Sequence, residues 1–408
     1  MTDISTRCCI AGGGPAGMML GYLLARAGVD VVVLEKHADF LRDFRGDTVH
    51  PSTLEVMREL GLLADFLKRP HQELQRLAAQ IGDDTIHAAD FSRLPLEAKF
   101  IALMPQWNFL NFLAEKAAGF ACFRLMMKAE ATELIRDADR VVGVVARSPH
   151  GEVRIGAQLV VGADGRHSTI RERAGFVVDD IGAPMDVLWL RLPREPGDAD
   201  VVPLGRAIAG AILVLIPRDD YFQCGYVVKK GGAEELQAKG LDAFKQSIES
   251  IAPALKGRTQ GLQSWDDVKL LTVAVDRLKT WCAPGVICIG DAAHAMSPIG
   301  GVGINLAVQD AVAAANLLWA PLRTGSVSLA DLEAVQRRRE FPAKATQAAQ
   351  VFIQKRAIAP TLAGGAPKAP WPAKLVDRVP LLQGLTARAL GLGVRFEKVR
   401  SPAAAAPG

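Results

Sequence analysis

Arg7-Cys8-Cys9-Ile10-Ala11-Gly12-Gly13-Gly14-Pro15-Ala16-Gly17 is a short apolar run that stops at a cluster of glycines. The run reads as a buried strand. Behind the glycines, Met18, Met19, Tyr22, Leu23, Leu24 and Ala27 form a helical apolar face. Gly28 stands where that helix should end. Val29 to Leu34 reads as a second strand, closed by Glu35. The chain therefore opens on a strand–helix–strand unit with Gly12-x-Gly14-x-x-Gly17 at its first turn. Each glycine answers a steric demand. Gly12 permits the tight turn, Gly14 lets backbone approach a pyrophosphate, and Gly17 allows the helix to pack closely on the strand. Pro15 and Ala16 begin the helix, whose free amides face the phosphates. Glu35 sits where a carboxylate can accept both hydroxyls of an adenosine ribose. It would repel a 2′-phosphate, so this site suits FAD or NAD and not NADP. A glycine-rich turn alone is common; the strand before it, the helix after it and the acid on the next strand make this one specific.

The rest of the composition narrows the class. The 408 residues are 50% apolar and 23% charged, an ordinary globular profile of two or three units at roughly 100–200 residues each. No uninterrupted apolar run reaches the ~18 residues of a bilayer-spanning helix. Met1 to Arg7 lacks the basic-then-apolar order of a signal peptide. The expectation is a soluble, cytoplasmic protein. The six cysteines form no CxxC pair and no histidines cluster at ligand spacing, so reduced buried thiols and no metal are expected. The net charge of +4 is too small to argue for nucleic acid. The excess belongs to the tail, where Lys374, Arg378, Arg388, Arg395, Lys398 and Arg400 face only Asp377 and Glu397.

Two further motifs follow. Gly285-Val286-Ile287-Cys288-Ile289-Gly290-Asp291-Ala292-Ala293-His294 is an apolar strand ending in Gly-Asp. Pro298-Ile299-Gly300-Gly301-Val302-Gly303-Ile304-Asn305 then opens a long helix over about 302–318. An NAD site needs no second contact so far downstream, whereas a flavin does. Asp291 can bind a ribityl chain, and the helix start formed by Gly301, Val302, Gly303, Ile304 and Asn305 can face the N1–C2=O edge of the ring. The third motif is Val161-Gly162-Ala163-Asp164-Gly165-Arg166-His167-Ser168, in which Asp164 ends a strand, Gly165 turns and Ser168 caps the next helix.

Between the motifs, Val141–Ala146 and Val153–Val161 flank a turn cluster and read as a hairpin. Residues 180–275 change character: apolar strands over Val187–Leu192, Ala209–Ile216 and Phe222–Val228 alternate with polar turns, broken by one charged helix near 233–250. Another helix runs through Leu329–Phe352, residues 359–373 form a Pro- and Gly-rich connector, and an amphipathic segment spans 374–392. The fold class is α/β. A Rossmann-like dinucleotide domain from residues 1–75, 106–178 and 276–345 is interleaved with a mainly antiparallel substrate domain from 76–105 and 179–275, and 346–408 form a C-terminal helical segment.

The three motifs in this order resemble the group A flavoprotein monooxygenases, the family of para-hydroxybenzoate hydroxylase and the ubiquinone-pathway hydroxylases. The resemblance covers residues 4 to about 345. It implies non-covalent FAD and NAD(P)H and O₂ as co-substrates. It also implies hydroxylation of a phenolic or quinol-like aromatic through a flavin C4a-hydroperoxide. It implies that Asp164 lies near the pyrophosphate and that Pro298 lies beside the reactive flavin face. Arg45 would contact the FAD phosphates and Gln106 the ribityl side, with Lys36 beside Glu35 on the cofactor. His294 follows the Gly-Asp pair and either touches substrate or is satisfied locally, the commoner fate of a histidine. Trp189, Phe222, Gln223 and Tyr226 lie on the substrate sheet, where alternation sends some toward the flavin and some away.

Other readings differ in kind. A flavin-dependent halogenase would carry a WxWxIP motif, which is absent. A prenyl-reductase-type enzyme shares the first motif and part of the Gly-Asp block. A non-enzymatic prenyl carrier would not need that block intact. Leu375, Val379, Leu382 and Leu385, interleaved with basic residues, could lie on an anionic membrane, but Pro380 and nearby glycines favour a helix packed on the protein or at a subunit contact. Monomer and homodimer both fit.

Overall fold

The computed structural model describes residues 2–41, 48–195, 198 and 204–404. Five parallel strands form its spine, in the spatial order Phe123–Met127, Val31–Glu35, Thr2–Ala11, Gly151–Gly162 and Val286–Cys288. Cys282–Ala283 closes one edge antiparallel. Arg140–Ser148 pairs back on Gly151–Gly162 as the expected hairpin, with Glu130–Asp137 beyond it. The central strands bury both faces. Cys8, Ile10, Val31 and Val33 belong to one apolar cluster, and Cys9, Ala11, Val32 and Leu34 to another. Sheets covered on both sides read as near-continuous apolar runs, which is why Val31–Leu34 carries no alternation.

The register positions the site. Ala11 lies opposite Leu34 and Gly162, and Gly162 opposite Cys288. Four parallel strands therefore end level, and the residues after them emerge along one edge: Gly12, Glu35, Asp164 and the Gly290-Asp291 pair. Open α/β sheets bind ligands at the carboxyl ends of their strands. The helices Pro15–Arg26 and Gly303–Thr324 pack against each other on one face of this sheet. The segment Ile299–Thr324 is long and apolar enough to cross a bilayer, but it is largely buried inside the protein.

A second sheet has seven strands in the order Lys269–Leu271, Met185–Pro193, Tyr221–Lys229, Ala211–Pro217, Gly205–Ile208, Arg76–Ile81 and Asp84–Asp90. Only the Gly205–Ile208 and Arg76–Ile81 pair is parallel. The strand expected over 209–216 runs Ala211–Pro217, and it pairs in a hairpin with an additional strand, Gly205–Ile208, through a turn at Gly210, whose φ is +83°. The expected helix near 233–250 is two, Ala233–Ala238 and Leu241–Ile251, separated at Gly240.

The C-terminal helices depart most from expectation. A boundary at 346 falls inside the helix Leu329–Ile353, which runs on into a π-helical turn, Gln354–Ile358. The amphipathic segment is two helices, Trp371–Arg378 and Pro380–Gly391, because Pro380 cannot continue the first but fits the opening of the second. Both lie against the edge strand Asp84–Asp90. Lys374 pairs with Asp84 at 2.7 Å, Asp377 accepts the His87 amide at 2.8 Å, and the Thr386 hydroxyl donates to the Ala88 carbonyl. Residues 394–404 then strap back across the first domain. Asn316 accepts the Arg400 and Ser401 amides at 2.7 and 3.0 Å, and Arg26 donates to the Ser401 carbonyl at 2.8 Å.

Candidate active site

The first motif is held as its glycines demand. Gly12 has a φ of +106°, and a Cβ there would stand 2.3 Å from the Ala163 carbonyl oxygen, so the first and third motifs touch through backbone. A Cβ on Gly17 would overlap the Gly12 carbonyl. A Cβ on Gly14 would meet no atom within 4 Å: the opening helix starts into free space. No side chain caps that start. Glu35 is buried at the strand end, where Oε2 accepts the Gly13 amide at 3.1 Å and Oε1 the His37 amide at 2.9 Å. These two bonds fix the Glu35 carboxylate at the strand end. Lys36 beside it is exposed.

The second helix start repeats the arrangement. Gly303–Thr324 also lacks a side-chain cap, and a Cβ on Gly303 would likewise meet nothing within 4 Å. Orphan amides at a helix N-terminus favour anions and electronegative edges. Gly290 packs against Ala16 and Ala307, so the Gly-Asp turn is wedged between the two helices. Two uncapped, glycine-open helix starts flanking one acid-bearing turn fit a dinucleotide with a flavin at its far end. FAD would be held by the amides of Gly14, Ala16 and Gly17, by Glu35, by Asp291 and by the amides at Gly303 and Ile304.

Several expected contacts are differently engaged. The Asp164 carboxylate caps its own helix: Oδ1 accepts the Ser168 hydroxyl and Oδ2 the Ile170 amide at 3.1 Å. Ser168 in turn caps Arg171 at 3.0 Å, as its spacing suggested. Burial pushes the Asp164 carboxyl up. The Asn305 amide oxygen accepts from the His50 amide at 3.0 Å and the Thr53 hydroxyl at 2.7 Å, so its side chain joins two helices and leaves only its backbone at the helix start. Val302 and Ile304 are buried, also leaving their backbones as the available groups. Gln106 begins the helix Gln106–Ala117 and is half-buried. Arg45 lies outside the described residues.

His294 is enclosed within the protein. It is 1% exposed, its ring packs 5.0 Å from that of Trp281, and Nε2 lies 2.6 Å from Asp310 Oδ2. The same oxygen accepts the Gly290 amide at 3.0 Å, while Oδ1 accepts from Arg339 Nε at 2.9 Å. Arg339 reaches Glu397 on the C-terminal strap at 3.4 Å, and Arg338 donates to Glu397 at 2.6 Å. Burial alone would raise the Asp310 carboxyl, but His294 and Arg339 outweigh it and hold it below the usual carboxylate range. This buried network fixes the Gly-Asp turn from behind.

Sequence reasoning missed the support of the loop carrying Pro298. Gln347, Gln350 and Gln354 project from one face of the Leu329–Ile353 helix and its π-helical extension, and all three are buried. Gln347 donates to the Ala295 carbonyl at 3.0 Å. Gln350 donates to the Ser297 and Ile299 carbonyls, both at 2.9 Å, and accepts the Ser297 amide at 3.2 Å. Gln354 donates to the Ser297 hydroxyl at 2.9 Å. These bonds clamp the backbone on both sides of Pro298, itself half-buried. The signal was present as three long amides at i, i+3 and i+7, one helix face.

Register assigns the substrate candidates. Trp189 lies opposite Gly225, and Leu188 opposite Tyr226. Tyr226 and Phe222 therefore share the face that packs on the helix Leu241–Ile251, where Tyr226 bonds Ser247 at 2.8 Å and meets Phe244 edge-on at 5.1 Å. Neither faces the first domain. Trp189 and Gln223 are on the opposite face. Trp189 joins a cluster with Val187, Val227 and Ile299, the residue after Pro298, and a second with Ile216, Ala387 and Leu390. Leu390 ends the C-terminal helix beside the Pro298 loop, where a Cβ on Gly300 would meet it at 3.0 Å. His50 Nδ1 bonds the Leu390 carbonyl at 3.1 Å.

An uncapped pair of helix starts on a Rossmann-like sheet, facing a separate apolar sheet, defines a flavoprotein with a substrate domain. Residues 5–349 match the FAD binding domain family, and the chain belongs to that family. It is 32% identical over 398 residues to a 6-methylpretetramide 4-monooxygenase from Streptomyces rimosus, covering 97% of this chain and 94% of the relative. It is 25% identical over 350 residues to a para-nitrophenol 4-monooxygenase from Pseudomonas sp. (strain WBC-3), covering 81% and 82%. The crystal structure of a p-nitrophenol 4-monooxygenase from Pseudomonas putida superposes with a TM-score of 0.76 at 21% identity, covering 97% of this chain and all of that one; at that identity the likeness concerns the fold.

Proposed function

We propose that this protein is an FAD-dependent monooxygenase that hydroxylates an aromatic small molecule with O₂, using NAD(P)H as reductant. The observation that carries the reading is the pair of uncapped helix starts, at Gly14 and Gly303, on either side of the Gly290-Asp291 turn. Family membership and relatives named as aromatic monooxygenases support it. FAD, when bound, supplies the electron transfer and oxygen activation. The chain's residues bind, orient and shield. The amides of Gly14, Ala16 and Gly17 receive the phosphates, Glu35 the ribose and Asp291 the ribityl chain. The dipole of the Gly303–Thr324 helix favours negative charge at its start. Gln350 and Gln354 hold the loop carrying Pro298, and the apolar face around Trp189 excludes water from an aromatic ring. A cytoplasmic location is part of the proposal, supported by six cysteines that are all free and mostly buried.

The test is NAD(P)H consumption and oxygen uptake by FAD-loaded protein with and without a panel of phenols. Yellow protein that releases its flavin on acid precipitation, and turnover at least tenfold faster with one aromatic, are expected. Protein that cannot be reconstituted with FAD, or oxidation equally fast without any aromatic, would overturn the reading.

A further inference from the structure

The C-terminal strap lies beyond the region matched by the family, which stops at residue 349. It nevertheless reaches the cofactor side through a chain of buried groups. The Gly290-Asp291 turn is pinned at three points. The Gly290 carbonyl accepts the Ala293 and His294 amides, both at 2.9 Å. Its Cα, at a φ of +59°, sits where a Cβ would stand 3.1 Å from Ala16. Its amide donates to Asp310 at 3.0 Å, and that bond is only as fixed as the carboxylate accepting it. Asp310 is fully enclosed, and a charge so placed needs a buried partner. Arg339 supplies one from Nε at 2.9 Å, while its Nη1 faces Glu397 of the strap at 3.4 Å. Arg338 holds the same Glu397 carboxylate at 2.6 Å.

The strap is laid along the helix that carries Asp310. The Glu397 amide donates to Gln309, and two turns further on Asn316 donates to the Lys398 carbonyl at 2.8 Å. The start of that helix, at Gly303, is one of the two uncapped starts of the cofactor site. Removing the Glu397 charge leaves the buried Arg339 guanidinium with one carboxylate where it had two. An uncompensated buried charge is costly, and it is relieved only by moving Arg339 and, with it, the Asp310 that holds Gly290.

We propose that Glu397 is a positioning residue for FAD. Through Arg339 and Asp310 it fixes the Gly290-Asp291 turn, so strap docking and cofactor binding reinforce each other. The coupling is reciprocal by linkage: what lifts the strap loosens the flavin, and the flavin holds the strap down. The inference rests on the FAD reading and goes further in giving a cofactor role to a segment outside the matched domain.

The experiment titrates full-length apoprotein with FAD and follows the quenching of flavin fluorescence. Glu397→Gln keeps the side-chain shape and removes the charge, and should weaken FAD about tenfold. Deleting residues 394–408 should weaken it at least as much. Melting of each apoprotein sets a temperature at which all are folded. A lower melting temperature with FAD affinity within twofold of wild type would make the strap a structural brace and overturn the proposal. Weakening by the deletion but not by Glu397→Gln would overturn the route through Glu397. A second measurement needs no substitution. Arg395, Lys398 and Arg400 are exposed on the strap, so trypsin releases a C-terminal peptide when the strap opens. Saturating FAD should slow that release at least about fivefold, and release equally fast with and without FAD would overturn the coupling. Wild-type protein that binds no FAD would instead mark failure of the FAD reading, and shows itself before any variant is made.

Discussion

The two halves of this active site are made of different material. The nucleotide half is backbone: free amides at two helix starts, glycines that let chain segments touch, and one acid on a strand end. The substrate half is side chains on one face of a sheet, selected by register. A backbone site is specified by where a Cβ cannot be, and a glycine records that directly in the sequence. A side-chain site is specified by which face a residue occupies, and a one-residue shift in register reverses every assignment. The first half tolerates few substitutions and binds one cofactor; the second can be redrawn by changing what lines it.

The largest expected effect breaks the backbone half in two distinguishable ways. Gly12→Ala places a Cβ 2.3 Å from the Ala163 carbonyl oxygen at a φ of +106°, so it should destabilise the protein by ~3 kcal/mol or more and lose FAD with the fold. Gly14→Ala meets nothing in the protein and needs no unusual backbone, since Gly14 has a φ of −75°. It should change apo stability by less than ~1 kcal/mol and yet weaken FAD at least tenfold. Denaturant unfolding of the apoprotein and flavin titration separate the two. Gly14→Ala protein that keeps full FAD affinity would show that the open space is not where the cofactor lies.

The same division decides what could be read from the sequence. The three motifs are local, none longer than about thirty residues, so their strands, turns and helix starts were legible, and parallel pairing did the rest by bringing the strand ends level. Asp164 and Asn305 were placed in the right turns, but their side chains bond inward, to Ser168 and Ile170 and to His50 and Thr53. No local pattern distinguishes an acid that caps its own helix from one that binds a ligand. His294 was ambiguous for the same reason: Asp310 and Arg339, its network, are distant in sequence. Phe222, Tyr226 and Trp189 could not be sorted without the pairing of Trp189 with Gly225. The basic amphipathic tail carried the same pattern for a membrane surface as for the edge strand against which it packs.

A middle-sized effect tests the seam between the halves. His50 is fully buried, bonded to the Leu390 carbonyl where the C-terminal helix meets the Pro298 loop. Burial lowers its pKa to about 4, against the raising influence of the Leu390 and Gly300 backbone. A histidine whose folded value lies below its unfolded one is held neutral by folding. Between the unfolded value near ~6.5 and about 4, the unfolded chain binds the extra proton. Its contribution is therefore complete above that window and is lost as pH falls through it, by ~3 kcal/mol in all. His50→Asn keeps a donor for the Leu390 carbonyl without the titration. Unfolding free energies measured from pH 7 to pH 4 should converge by up to that amount between wild type and variant. Parallel curves would mean that the seam opens to water and that the histidine titrates normally in the folded protein.

The smallest effect falls on the far face of the substrate sheet and sharpens the comparison most. Tyr226 is aromatic, lies one strand from Trp189 and carries a hydroxyl, so by composition alone it is as good a substrate contact. Its hydroxyl instead bonds Ser247 at 2.8 Å and its ring packs against Phe244. Tyr226→Phe keeps the ring contact and removes the hydrogen bond, which should lower stability by ~1 kcal/mol. It should leave FAD affinity and the binding of every aromatic probe within twofold of wild type. If Tyr226→Phe weakened an aromatic ligand, the two faces would not be distinct in function, and the substrate half would have to be rebuilt from the other side of the sheet.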